Sequence, residues 1–217
     1  MFCAIFDMDG TIIDTQRIYV EAWEIAGKNQ GIEGLGSLVK YVCGLKHEDS
    51  IAFAKSHHPE LDCKRFFDEY FPYAQKNKNV ALLPGAAELL DFLYENDVPM
   101  AIASSSPMDE ILENLEKLNI KKYFRVLTSG YEVAHGKPAP DVFLLAAEKL
   151  GMAPDQCFVF EDAPNGVRAA YSAGMRCFGI PDVAIFNDEI VEKSFRIISS
   201  IDKAIPILKE FIDNGCN

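Results

Sequence analysis

A short apolar run, Phe2–Phe6, breaks directly into acid: Phe-Cys-Ala-Ile-Phe is followed by Asp7-Met8-Asp9-Gly10. Five mainly apolar residues are too few for a helix and suit a strand buried on both faces. Asp7 and Asp9 then stand just beyond the strand's C-terminal end, and Gly10 permits a sharp turn. In open parallel α/β sheets, ligands bind outside the carboxyl ends of the strands. Two carboxylates one residue apart can share such a site in different orientations. One can attack or hold a metal while the other moves a proton. A strand end closed by an ordinary Asp-Gly turn gives the same pattern, so the rest of the chain must discriminate.

From Thr15 the pattern turns helical, with Ile18, Ala22, Ile25 and Ala26 at helical spacing. Gly27, Gly31, Gly34 and Gly36 predict a break. A short helix is expected over Leu38–Cys43, a loop over Gly44–Ser50, and a helix beyond it that stops at His57-His58-Pro59. Asp62–Asn77 reads as amphipathic, with Phe66, Phe67, Tyr70, Phe71 and Ala74 on one stripe. Nothing between Thr15 and Leu83 has the pattern of a parallel strand. After Pro84-Gly85 the chain alternates. Strands are predicted at Val98–Ala103, Phe124–Thr128, Cys157–Phe160 and Met175–Ile180, with a possible edge strand at Ile197-Ile198. Helices are predicted at Ala86–Glu95, after Pro107, at Pro138–Leu150 and Ala163–Ala173, and around Ala204–Phe211. The expected fold is α/β: a Rossmann-like parallel sheet core from residues 1–14 and 84–217, with residues 15–83 inserted as an all-helical cap domain.

Charge separates the same two parts. The net charge is −12, yet Thr15–Leu83 carries nine basic and nine acidic residues, so the whole excess lies in the core. Such an acidic chain argues against a nucleic-acid partner. It also implies that the core needs cations to hold a phosphate. No run approaches 18 apolar residues, so no membrane partner is expected. Six widely spaced cysteines, with no CxxC, read as reduced thiols. A cytoplasmic monomer is the expectation.

Four predicted strand ends carry groups that would share one edge of a parallel sheet. Ser104, closing AIAS, can hydrogen-bond a phosphoryl oxygen beside the N–H groups of the next helix; a helix N-cap is its ordinary alternative. Lys137 can neutralise an acidic nucleophile together with an incoming phosphate, though a lysine before proline is commonly a solvated loop residue. Glu161-Asp162 ends the apolar strand CFVF, an unusual place for acids without a cation. With Asp7 and the Asp9 carbonyl they make a hard, all-oxygen set suited to Mg²⁺. Asp162 as a cap on the following helix is the competing reading.

DMDGTIID resembles the first motif of the haloacid dehalogenase superfamily, DxDGTxxD. AIASSS looks like its second motif, GKPAPDVF its third, and FVFEDAPNGVRAA its fourth, all in order and reaching both ends of the chain. The insertion is similar to the helical cap of the subgroup that includes β-phosphoglucomutase, small sugar phosphatases and pseudouridine-5′-phosphatase. The resemblance implies that Asp7 is the nucleophile and forms an aspartyl-phosphate. It implies that Asp9 protonates the leaving oxygen and then takes a proton from water. Asp7, the Asp9 carbonyl and Asp162 would hold Mg²⁺, with Glu161 as a ligand or just behind them. Ser104 and Lys137 would steady the transferred group, and Gly10, Ser105, Ser106, Tyr19 and His47 would contact the substrate.

Two positions depart from the β-phosphoglucomutase pattern: Tyr19 replaces a histidine, and His47 replaces the arginine that clamps a second phosphate. His47 is shorter and often neutral at pH 7, which leaves Lys46 and Lys76 as the cations that would have to compensate. The reading is therefore a Mg-dependent phosphatase acting on a small phosphorylated metabolite, sugar phosphate or nucleotide-like, ahead of a β-phosphoglucomutase. A phospho-accepting regulator ranks lower, because it needs neither the second acid nor a catalytic cap. A haloalkanoate dehalogenase is disfavoured because it has no use for Asp9.

Overall fold

The computed structural model describes residues 2–78 and 80–215; Cys216 lies outside the described residues. Six strands form one parallel sheet: β1 Cys3–Phe6, β2 Met100–Ser104, β3 Val126–Ser129, β4 Cys157–Glu161, β5 Arg176–Gly179 and β6 Arg196–Ile197. Their order is β3-β2-β1-β4-β5-β6, so the winding reverses between β1 and β4. That reversal opens a crevice at the carboxyl ends of the two strands that carry most of the acids.

Side-chain alternation distributes each strand between two apolar layers. From β1, Ala4 and Phe6 enter one layer, and Cys3 and Ile5 enter the other; Phe158 and Phe160 of β4 likewise face away from Cys157 and Val159. Helices α5 (Ala86–Glu95), α6 (Met108–Lys117) and α10 (Ile205–Asp213) cover the first layer with Leu89, Leu93, Ile111 and Leu208. Helices α7 (Asp141–Leu150), α8 (Pro164–Ser172) and α9 (Asp188–Lys193) cover the second with Phe143, Val167 and Ile190. Phe6, Phe160 and Phe178 stack across β1, β4 and β5, with centroids 4.6 and 5.1 Å apart. Such pairs add about 0.5–1.5 kcal/mol each beyond their buried area.

Between β1 and α5 the chain builds α1 (Gln16–Lys28), α2 (Val39–Val42), α3 (His47–His57) and α4 (Cys63–Asn77). They enclose an apolar cluster of their own, with Trp23 packed edge-on to Phe66 at 5.1 Å. Leaving and returning segments meet: Asp14 N–H donates to the Ala81 carbonyl, and Leu83 N–H to that of Ile12.

Three local expectations change. The loop predicted over Gly44–Ser50 is short, because α3 already begins at His47, where Glu48 and Asp49 favour the positive end of the helix. Helix α7 starts at Asp141 rather than Pro138. Helix α9 was not anticipated; the Asn187 side chain caps it by accepting from Ile190 N–H at 3.1 Å. Among the described residues all five cysteines are free thiols, and no helix is long and apolar enough to cross a membrane.

Candidate active site

Lys137 lies at the centre of the cluster. It is buried, and its Nζ donates to Asp7 Oδ1 and to Glu161 Oε1, each at 2.6 Å. The solvated-loop alternative is thereby excluded. Burial alone would lower the lysine's proton affinity, but Asp7 and Glu161 beside it raise the net value, so it stays cationic. Glu161 Oε2 accepts from Ala163 N–H at 3.0 Å, so both of its oxygens are bonded within the protein.

Asp162 does not cap α8, whose N-terminus has no side-chain cap. Its oxygens instead accept from Thr11 Oγ1 at 3.0 Å and from Gln16 Nε2 at 2.6 Å. Asp7, Glu161 and Asp162 all lie buried, with a carboxylate oxygen of each within 4.8 Å of the others. Burial raises the proton affinity of Asp162, and the Glu161 and Asp7 charges add to it. Asp7 is pushed up to about 7, first by burial and then by Glu161, against the lowering influence of Lys137. When all three are ionised, three carboxylates facing one ammonium leave two negative charges in a buried space, which is why burial favours their protonated forms. A divalent cation balances that excess, and an all-oxygen donor set suits Mg²⁺. The residues present fit the ion.

Asp9 points the other way. Thr15 Oγ1 donates to its Oδ1 at 2.5 Å, and Ser106 Oγ to its Oδ2 at 2.9 Å. Burial, Glu110 and Asp7 raise it to about 6, a value suited to giving and taking protons near neutrality. Ser104 is buried, and its Oγ accepts from Ser106 N–H at 3.1 Å rather than capping α6. Ser105 Oγ reaches across to the Gly44 carbonyl at 2.6 Å, tying the strand end to the inserted helices. Gly10, at φ +86°, leaves no space for a side chain: a Cβ there would stand 2.5 Å from both Asp162 Oδ2 and Gln16 Nε2.

Above these groups lies a cavity of about 100 Å³, floored by Asp7, Asp9 and Ser104–Ser106. Its roof is aromatic and neutral. Tyr19, Trp23, His47 and Tyr70 line it, with Tyr70 Oη and His47 Nδ1 3.1 Å apart. Burial lowers the proton affinity of His47. No lysine or arginine is among the lining residues. Lys46 faces a different cleft, with its Nζ 5.2 Å from the Tyr131 ring centre, and Lys76 is exposed.

The sequence-predicted residues therefore gather in one place: Asp7, Asp9, Ser104–Ser106, Tyr19 and His47 around the cavity, Gly10, Lys137, Glu161 and Asp162 behind its floor. Thr11, Thr15, Gln16, Trp23 and Tyr70 were not among them. Thr11, inside the acidic motif, and Thr15 and Gln16, adjoining it at a helix start, carried a local signal.

Solved structures share this fold. β-Phosphoglucomutase from Clostridium difficile superposes with a TM-score of 0.82 over 99% of this chain and 98% of that one, at 23% identity, a likeness of fold alone. A phosphorylated carbohydrates phosphatase from Thermotoga maritima is 31% identical over 98% of this chain and 100% of its own length. A Drosophila melanogaster protein named as a probable pseudouridine-5′-phosphatase is 35% identical over 91% and 88% respectively. The fold and these relatives define a phosphoric monoester hydrolase. The chain belongs to the haloacid dehalogenase-like hydrolase family, whose pattern it matches across residues 4–180.

Proposed function

We propose that this chain is a Mg²⁺-dependent phosphatase that cleaves a small phosphorylated metabolite through an aspartyl-phosphate on Asp7. The observation that carries the reading is the buried cluster of three carboxyl groups beside Lys137, directly beneath a cavity whose roof is neutral. Asp7, the Asp9 carbonyl and Asp162 would hold the cation, with Glu161 retained by Lys137 and the Ala163 N–H. When bound, the ion draws off phosphoryl charge and lowers the proton affinity of the carboxylates around it.

Asp7 attacks phosphorus while the bond to the leaving oxygen breaks, and Asp9 gives that oxygen its proton. Water then attacks the phosphorylated Asp7, Asp9 takes the water's proton, and the Asp7 carboxylate is regenerated. Lys137 stabilises the anionic nucleophile, and Ser104 with the neighbouring N–H groups orients the phosphoryl oxygens. We read residues 15–83 as the cap that selects the leaving group.

The neutral roof favours hydrolysis over the mutase reaction. A mutase must hold a second phosphate, a task for a fixed cationic fork. His47 is half-buried, bonded to Tyr70 and biased toward its neutral form.

Purified protein stripped of metal should release phosphate from sugar and nucleoside monophosphates only after Mg²⁺ is added. Undiminished release in excess chelator would overturn the metal assignment. With β-glucose 1-phosphate and its bisphosphate primer, free phosphate should form faster than glucose 6-phosphate. The reverse order would make the chain a mutase.

A further inference from the structure

Gln16 occupies a place in the site that none of the proposed catalytic roles requires. It is the first residue of α1 and is buried. Its Nε2 donates to the Asp9 carbonyl at 2.9 Å and to Asp162 Oδ2 at 2.6 Å. The Asp9 carbonyl can only accept, so the amide nitrogen must face it. Its Oε1 in turn accepts from the Cys43 thiol at 3.0 Å, on the far side of the amide. All three bonds are consistent with one orientation of the side chain. Both acceptors belong to residues among the three that the proposed function gives to the cation, Asp7, Asp9 and Asp162.

We propose that Gln16 is a gate on the metal site. Its NH₂ group bridges the Asp9 carbonyl and Asp162 when no cation is bound, and it must turn or withdraw before one can enter. An amide donor and a cation compete for the same lone pairs, and an N–H aimed at Mg²⁺ is repelled by it. The bridge lets a neutral group satisfy the buried oxygens that would otherwise stand unpaired. It also weakens apparent cation affinity, because two hydrogen bonds, one of them to a carboxylate, are given up on binding. The Cys43 contact connects this movement to the inserted helices. Cys43 follows α2, and its carbonyl also accepts from Asn165 Nδ2 of the core at 3.3 Å. Turning the Gln16 amide brings its NH₂ toward a position now held by a donating thiol, so the Cys43 proton must redirect. It has a second acceptor within reach, the Val39 carbonyl at 3.2 Å.

The gate rests on the metal reading above, and direct binding separates the two. Mg²⁺ alone is titrated calorimetrically into the metal-stripped full chain. Gln16→Ala should bind it about 3- to 10-fold more tightly than the wild type, the range expected for losing a bridge of ordinary net strength. Equal or weaker affinity overturns the gate. Wild type that binds no Mg²⁺ overturns the gate and the metal assignment together. Gln16→Glu serves where the alanine variant folds poorly. It sets a carboxylate against Asp162, so its melting temperature without metal should fall, and its rise on adding Mg²⁺ should exceed that of wild type. A rise no larger than the wild type's overturns the gate by a route independent of turnover.

Discussion

Floor and roof of the cavity are built on opposite terms. In the floor, Asp7, Lys137, Glu161 and Asp162 are ionisable, buried and bonded to one another or to fixed neighbours. In the roof, Tyr19, Trp23, Tyr70 and His47 meet through ring contacts, and burial disfavours the charged form of His47. Asp7, Glu161 and Asp162 sit at strand ends, whose positions the sheet fixes, and Lys137 reaches them from a loop; roof groups come from three helices that pack mainly on one another. The contrast separates two tasks. A phosphoryl group is the same in every substrate and can be met by rigid charges, whereas the leaving group varies and is met by adaptable surfaces.

The sharpest way to break the contrast is to disable the floor alone. Asp7→Asn keeps size and shape but cannot attack phosphorus, so phosphate release should fall by at least about 10⁴-fold. Its melting temperature should stay within a few degrees of wild type, because Lys137 retains Glu161. Wild-type turnover in this variant would refute the covalent mechanism.

Removing the cation of the floor should instead damage the fold. Lys137→Ala leaves Asp7 and Glu161 facing each other in a buried space. Urea unfolding in chelator should show a loss of about 3–5 kcal/mol, the usual cost of orphaning a buried charge. A loss under about 1 kcal/mol would mean that solvent reaches the cluster and screens it.

On the roof the effects should be smaller. Tyr70→Phe removes the hydroxyl shared with His47 and should cost about 1 kcal/mol in the same unfolding assay. It should alter KM across a substrate panel more than kcat, since Tyr70 touches no group assigned to the chemistry.

The smallest effect is one of pH. His47 has a proton affinity below its ordinary value of 6.5 because its partial burial disfavours the charged form. Below about pH 6.5 the unfolded chain takes up this proton before the folded one does, so stability falls as pH drops through that region. At higher pH both states are neutral there, and the contribution is flat. His47→Gln should therefore lose less stability than wild type between pH 7 and 5, as followed by thermal melts. Parallel curves would show that His47 is solvated.

How legible these parts were from sequence follows the same division. Asp7, Asp9, Ser104, Glu161 and Asp162 adjoin apolar runs, and the short period of a buried strand announces where each run ends. That the sheet is parallel and covered on both faces follows from the alternation of strands with helices; the order in which the strands lie does not. Gln16, Thr11 and Thr15 sit among such signals without a pattern of their own. A single buried amide is visible only once its partners, 146 residues away in the case of Asp162, are folded beside it. The roof was less legible because its residues are spread from Tyr19 to Tyr70 and share no register. The early start of α3 and the existence of α9 did leave traces. Glu48-Asp49 and Asp188-Glu189 are acids suited to first turns, and Asn187 is a ready cap. Their apolar content is too low for periodicity to find them.

The pairing of Ile13 with Leu82 has a consequence for how the chain becomes ordered. Once the core sheet exists, the segment between those residues is already a closed loop with both ends fixed. Joining the ends of a flexible loop costs entropy that rises only slowly with length, and here the core's own formation meets that cost. The inserted helices then search for one another while tethered at a single point, and α1 and α4, the first and last of them, start out as neighbours. Their packing is a local event in space despite the distance between them in sequence.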